Sequence, residues 1–526
     1  MRAPRFRSAL AVLVALTSAS VVHAGDLVKQ ANALDRVQLG SVVRFLSHDL
    51  LEGRAPGTRG GELAEEYVQS MFEWMGLTPG WQGSFQQPFA MKGTTTTSLA
   101  LQVGDATFTW PEEVVGGTSR SGPDFVVEGD AVFAGFGISS EAFDWDDFKG
   151  EDVRGKFLVV RVNDPGSEDP ALFEGASMTY FGRWRYKIEA AHAAGARGIV
   201  MIHTDRSAGY GWNVVRNSWT GEELFLPGSA HDEVEFSGWI REEPFRRVLA
   251  AKGIDLDRLY AASLRRDFRP VQLGFAIRAV GKNTFREVRA RNVVGEIPGS
   301  TPERIVLIAH LDHFGVKPNL EGDQIMNGAI DNGSAVAALL LTARVLSENR
   351  GTLRHTVTVI ACNAEEAGLL GSTYYVANTD RGSIVAAINF ESSPVWEASG
   401  SVMGVGARYS TLEDMLQEVA RDAGVKYSEF SMRDQGFFFR SDQFPFAHAG
   451  IPALWISAGE DFVSGRNRLR EFFAGDYHTP RDQFDPSWSL DSLRQTVSYA
   501  LGLVEKIDRS PERPRWKTRL TFPVER

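Results

Sequence analysis

The second half of the chain alternates short, continuously apolar segments with helical ones, a pattern that few folds accommodate. The apolar segments lie at 305–309, 356–361, 384–390 and 453–457, and the clearest helical stretch between them at 334–346. Strands that are apolar on both faces must be covered on both faces. That requirement points to the α/β class, with a doubly wound, mostly parallel sheet under helices. In such sheets ligands collect beyond the carboxyl ends of the strands, so the residues just after each apolar segment are the ones to read for chemistry.

The rest of the 526 residues attach to this frame. Residues 38–78 carry helical spacing on either side of the Gly/Pro-rich connection LEGRAPGTRGG, and 85–130 read as short alternating strands. Residues 128–275 have a β–α–β order of their own and are expected to form an inserted module. The α/β frame then comprises 25–127 and 276–510. The basic, Pro-interrupted tail 511–526 is expected on the surface. At the start, Arg2, Arg5 and Arg7 precede a short apolar run and Val22-His23-Ala24, so 1–24 reads as a removable signal peptide for a periplasmic or secreted protein. No stable membrane anchor is expected after its cleavage.

Composition narrows the chemistry. The formal charge of −11 becomes about −14 once the three arginines of the signal are removed, which is the wrong sign for a nucleic-acid binder. One cysteine excludes an intramolecular disulfide and any thiolate-rich metal site. A transition metal must then be held by carboxylates and some of the ten histidines.

Metal-capable side chains do follow the apolar segments. His310 closes the first, with Asp312 two residues on, and Asp331 precedes the 334–346 helix. Glu365 and Glu366 follow the second segment, Glu391 follows the third, and His478 lies in a polar loop. Two histidines with several carboxylates suit one or two Zn²⁺ ions. A carboxylate such as Asp331 can bridge a metal pair, and a neighbouring carboxylate can take a proton from a metal-activated water. His313 lies beside the group. His192 and His448 read as packing or partly exposed residues, and Cys362 as a small hydrophobe. The Phe437–Phe439 run reads as core, or as a wall on the substrate side.

The stretches AHLDHFG (309–315), GAIDNGSA (328–335), EEAGLLGS (365–372), INFES (388–392), RSDQFPFAHAGIPAL (440–454) and YHTPRD (477–482) closely resemble the co-catalytic zinc exopeptidase family. That family includes bacterial leucyl aminopeptidases and glutamate carboxypeptidases. The module at 128–275 is similar to the protease-associated domain often spliced into these enzymes. The resemblance implies that His310, Asp331 and Glu391 hold one zinc and that Asp331, Glu366 and His478 hold the other. It implies Glu365 as general base, Tyr477 as donor to the oxyanion, and Asp312 as the residue that orients His310. Glu391 departs from the family's usual Asp, which leaves a single zinc as an alternative to two. The implied activity is hydrolysis of N-terminal peptide bonds by a metal-bound hydroxide, on peptides with a free N-terminus. Glutaminyl cyclisation, carboxypeptidase action and a non-catalytic receptor-like role are the alternatives on the same scaffold.

Overall fold

The computed structural model describes residues 26–119, 122–318, 320–517 and 520–524. The segment 1–24, read above as a signal peptide, lies outside them.

The four apolar segments are strands Thr301–His310, His355–Cys362, Ile384–Asn389 and Ala453–Ala458. They pair in parallel, with Thr301–His310 at the centre, and their middle residues are buried throughout. Ser401–Val405 continues the sheet antiparallel beyond Ala453–Ala458, and Lys426–Ser428 forms the edge. The mixed but mostly parallel sheet agrees with the expected α/β class. The helix Ala335–Glu348 is apolar nearly all round and packs between this sheet and the helices Asp26–Asn32, Arg36–Leu46 and Asp491–Arg509. A helix hydrophobic on every side has to be buried on every side. Ala329–Glu348 is also the one described helical segment long and apolar enough to cross a membrane, and it lies inside the molecule.

One very long strand, Val271–Ile297, ties the chain together. Its last residues pair with His355–Cys362, its first residues pair with Asp124–Phe133, and Gln86–Val103 runs antiparallel to its residues 277–293. Beyond Asp124–Phe133 the sheet continues in parallel through Phe157–Arg161, Gly198–His203 and Phe236–Arg241. The β–α–β order read between 128 and 275 is therefore present, but both of its limits fall inside strands. The two parts are joined by paired backbone, not by linkers. Phe136, Ile138, Trp145, Tyr180, Phe181 and Tyr186 of the insert also belong to the main hydrophobic core.

The tail differs from its expected surface position. Trp516 donates its indole N–H to the Gly450 carbonyl, and Phe522 is buried against Tyr409, Phe438, Phe439 and Phe444. Basic composition hid one aromatic anchor.

Candidate active site

The strand ends bring the expected residues to one place. His310 is the last residue of its strand, Glu365 and Glu366 lie in the turn after His355–Cys362, and Glu391 follows Ile384–Asn389 by two residues. Asp331 sits in the irregular turn Ala329–Ser334 that leads into Ala335–Glu348. Tyr477 and His478 follow the helix Arg468–Gly475, with His478 in the left-handed region at φ 56°.

Buried hydrogen bonds hold this backbone. Both carboxylate oxygens of Asp482 accept from the main chain, one from Ile330 N–H at 2.8 Å and the other from Asp331 N–H at 2.9 Å. The Asn332 side chain accepts from Ser392 N–H at 2.8 Å, beside Glu391. Arg54, buried in the turn of the LEGRAPG connection, donates to the carbonyls of Leu46, Leu311, Asn327 and Gly328. Asp312 acts differently from the expectation. His310 Nδ1 bonds to the main-chain oxygen of Asp312 at 3.1 Å, whereas the Asp312 carboxylate is 3.8 Å away. That carboxylate instead accepts from the N–H groups of Glu365 and Glu366, at 3.0 and 3.2 Å. It positions the acidic turn as well as lying behind the imidazole.

The side chains converge in two half-sites that share Asp331. His310 Nε2 lies 3.3 Å from Asp331 Oδ1 and 3.2 Å from Glu391 Oε1. His478 Nε2 lies 3.1 Å from Asp331 Oδ2 and 3.3 Å from Glu366 Oε2. Glu365 Oε2 is 3.9 Å from His310 Nε2, outside hydrogen-bond reach. Tetrahedral zinc with bonds of about 2.0–2.1 Å places neighbouring ligand atoms about 3.3 Å apart, which is the spacing found here. Asp331 Oδ2, Glu391 Oε2 and His478 Nε2 are also buried without a hydrogen-bond partner. Lone pairs that are buried, convergent and unpaired fit a cation. The longer side chain of Glu391 still reaches His310, so the departure from Asp does not remove that donor.

Electrostatics give the same picture. Burial, followed by repulsion from Asp331 and Glu365, pushes Glu366 well above the ordinary carboxylate range. Burial and the charges of Glu391 and Asp442 do the same to Glu365, against the pull of His310. Burial pushes His310 toward neutrality, but Glu391, Glu365 and Asp331 hold it well above the usual histidine value. Burial also pushes Asp312 up to about 6. A divalent cation relieves such crowding by neutralising it.

Four further residues belong to the site. His313 Nδ1 contacts Glu366 Oε1 at 2.7 Å, and its ring stands edge to face with Phe314. Asp442 accepts from the thiol of Cys362 at 2.7 Å and from Ser372, so Cys362 is a hydrogen-bond donor and not simply a small hydrophobe. Asp482 and Asp442 lie inside the motifs quoted above, YHTPRD and RSDQF. That placement was the available signal for them, since nothing in their residue type reveals a backbone clamp. The Phe437–Phe439 run is buried among Tyr409, Phe430, Phe444 and Phe522, as core.

His310 at a strand end, His478 in a loop and the carboxylate of Asp331 between them form a candidate metal centre on an α/β sheet. Residues 292–504 match the model of peptidase family M28, in agreement with the resemblance to co-catalytic zinc exopeptidases. The chain is similar to an aminopeptidase of Pseudomonas aeruginosa, 32% identical over 326 residues, covering 58% of this chain and 52% of that one. It is also similar to the probable lipoprotein aminopeptidase LpqL of Mycobacterium tuberculosis, 30% identical over 244 residues, covering 41% and 45% of the two chains. The chain thus spans about half the length of the curated relatives it matches. Among solved structures, the aminopeptidase from Aneurinibacillus sp. strain AM-1 shares the fold over 95% of this chain and 98% of its own. The TM-score is 0.55 at 19% identity.

Proposed function

We propose that the protein is an exported zinc aminopeptidase that removes N-terminal residues from peptides, with the insert acting as a protease-associated domain. The observation that supports this reading most directly is Asp331 divided between two histidines, one oxygen facing each, with Glu365 standing free beside them. In this reading His310, Asp331 and Glu391 hold one zinc, and Asp331, Glu366 and His478 the second. When bound, the zinc supplies Lewis acidity, lowering the pKa of a water toward about 7 and polarising the scissile carbonyl.

The chain's own groups do the rest. Among the described residues, Glu365 has no ion-pair partner within hydrogen-bond distance, and its raised proton affinity suits a base that takes a proton from water and passes it to the leaving amine. The backbone clamp from Asp312 fixes the turn that carries it. Tyr477 is kept protonated by burial, and it receives a hydrogen bond from Arg440 Nη2 at 3.3 Å. Its own O–H is then free to donate to a developing oxyanion. Stacking of Tyr477 on His478, with ring centroids 3.6 Å apart, fixes the direction of that donor. Buried carboxylates around His310 favour a substrate ammonium, which places the free N-terminus over the acidic floor.

Glu365→Gln tests the proposal, since it keeps the shape and removes the base. Turnover of leucine p-nitroanilide should fall about 10²–10⁴-fold, with zinc content by elemental analysis unchanged. Retained turnover would reject Glu365 as the base.

A further inference from the structure

His313 touches the site but belongs to neither half-site. It follows the strand Thr301–His310 by three residues and is fully buried. Its ring lies flat on Gly328, where a β-carbon would stand 2.7 Å from His313 Cδ2 and 2.8 Å from its Cγ. Gly328 is also left-handed, at φ 58°, so glycine makes both the turn and the seat for the ring. Arg54 fixes the two sides of this seat. It donates to the Gly328 carbonyl at 3.0 Å, and its own carbonyl accepts from the His313 N–H at 3.4 Å.

The contact that the seated ring makes is a hydrogen bond and not a shared metal. His313 Nδ1 stands 2.7 Å from Glu366 Oε1, whereas two ligand atoms on one tetrahedral zinc stand about 3.3 Å apart. Nδ1 is also 3.9 Å from Asp331 Oδ2, the oxygen that faces His478. A carboxylate that binds metal is ionised and only accepts, so Nδ1 carries the proton and donates it. A ring turned over would set a carbon against Glu366 instead. A charge-assisted bond of this length occupies Oε1 and leaves Oε2, 3.3 Å from His478 Nε2, as the oxygen that faces the metal position.

The matching carboxylate of the other half-site is not tied in this way. Glu391 Oε1 lies 3.2 Å from His310 Nε2 and 3.4 Å from Ser392 Oγ, and Glu391 Oε2 is buried with no hydrogen-bond partner among the described residues. The His478 half-site thus offers three donor atoms, Asp331 Oδ2, Glu366 Oε2 and His478 Nε2. The His310 half-site offers four, because both oxygens of Glu391 are available to it. Four donors close a tetrahedral zinc, and three leave a position for water or substrate.

We propose that His313 is a positioning residue that limits Glu366 to one metal-facing oxygen, so that the His478 half-site stays open to water and substrate while Glu391 closes the other. This inference rests on the two-zinc part of the reading above, and it makes the two metals chemically unequal.

Titration of metal-free, full-length protein with Co²⁺ tests it without a peptidase assay, because four-coordinate Co²⁺ absorbs visible light far more strongly than five- or six-coordinate Co²⁺. His313→Leu frees Glu366 Oε1 to bind as a second oxygen. Two equivalents of Co²⁺ should still bind, and the band of one of them should lose most of its intensity. Turnover of leucine p-nitroanilide by the zinc-loaded variant should fall about 10- to 100-fold through kcat. His313→Asn, whose amide donates from nearly the place of Nδ1, should restore the band and most of the turnover. Where His313→Leu does not fold, His313→Gln serves, since its amide falls at the place of Nε2. An unchanged band at two bound equivalents would overturn the inference. So would loss of one equivalent, since His313 would then hold the metal and not restrain its ligand. Failure of the unaltered protein to bind two Co²⁺ would reject the two-metal reading and this inference with it. The expected bands without hydrolysis of any peptide would reject the aminopeptidase reading alone and leave the role of His313 standing.

Discussion

At the scale of single residues, the candidate site divides into side chains that converge on Asp331 and side chains that hold those in place. The first kind was legible in sequence because histidine is scarce here and His310, Glu365, Glu366 and Glu391 follow the apolar strands directly. The second kind was not, because Arg54, Asp312, Asn332 and Asp482 act on backbone amides and carbonyls far away in sequence. Arg54 carries the largest share of this work. It satisfies four buried carbonyls drawn from three separate segments. Replacing it with Met fills similar space but leaves those acceptors unpaired, at about 1–3 kcal/mol each before relaxation. Arg54→Met should therefore lose more than about 3 kcal/mol in urea unfolding, and zinc affinity should drop because Leu311, Asn327 and Gly328 flank His310 and Asp331. Arg54→Lys should recover only part of this, since an ammonium has three donors and no planar fork. A variant with unchanged midpoint and zinc content would show that these carbonyls find other partners.

At the scale of elements, the parallel strands were readable because continuous burial leaves continuous apolar runs. The strand Val271–Ile297 was not. Its sequence alternates, carries charges and contains Gly281, a profile that reads as several short pieces or a boundary. Its continuity comes from pairing with Gln86–Val103, a contact between segments some two hundred residues apart. The tail was misread for a related reason. Its basic and proline residues describe its exposed part, whereas Phe522 decides where it docks. Phe522 is 3% exposed and meets Tyr409, Phe438, Phe439, Phe444 and Trp516. Truncating a phenylalanine in such surroundings costs about 3–5 kcal/mol, and the edge-to-face contacts go with it. Phe522→Ala should lower thermal stability accordingly. It should also make the tail cleavable by trypsin after Arg515 and Lys517 under native conditions. Resistance to trypsin in that variant would locate the anchoring elsewhere, with Trp516 the next residue to test.

At the scale of the whole molecule, the insert is less separate than its sequence pattern implies. Its sheet reaches the catalytic sheet through Asp124–Phe133 and Val271–Ile297, and six of its aromatic and aliphatic side chains lie in the main core. An insertion joined by flexible linkers can melt by itself, because few contacts cross its boundary. Here the boundary is a hydrogen-bonded ladder backed by shared apolar burial, so unfolding either part exposes surface of the other. Calorimetry of the full chain should show one endotherm, with van't Hoff and calorimetric enthalpies close to each other. Replacing 128–275 with a short glycine-serine loop should yield insoluble protein, because it cuts Asp124–Phe133 and Val271–Ile297 within their paired register and removes Phe136, Tyr180 and Phe181 from the core. Two resolved endotherms, or a soluble and zinc-binding deletion, would show that the shared strand transmits no cooperativity. The insert would then be a detachable cover over a site that folds without it.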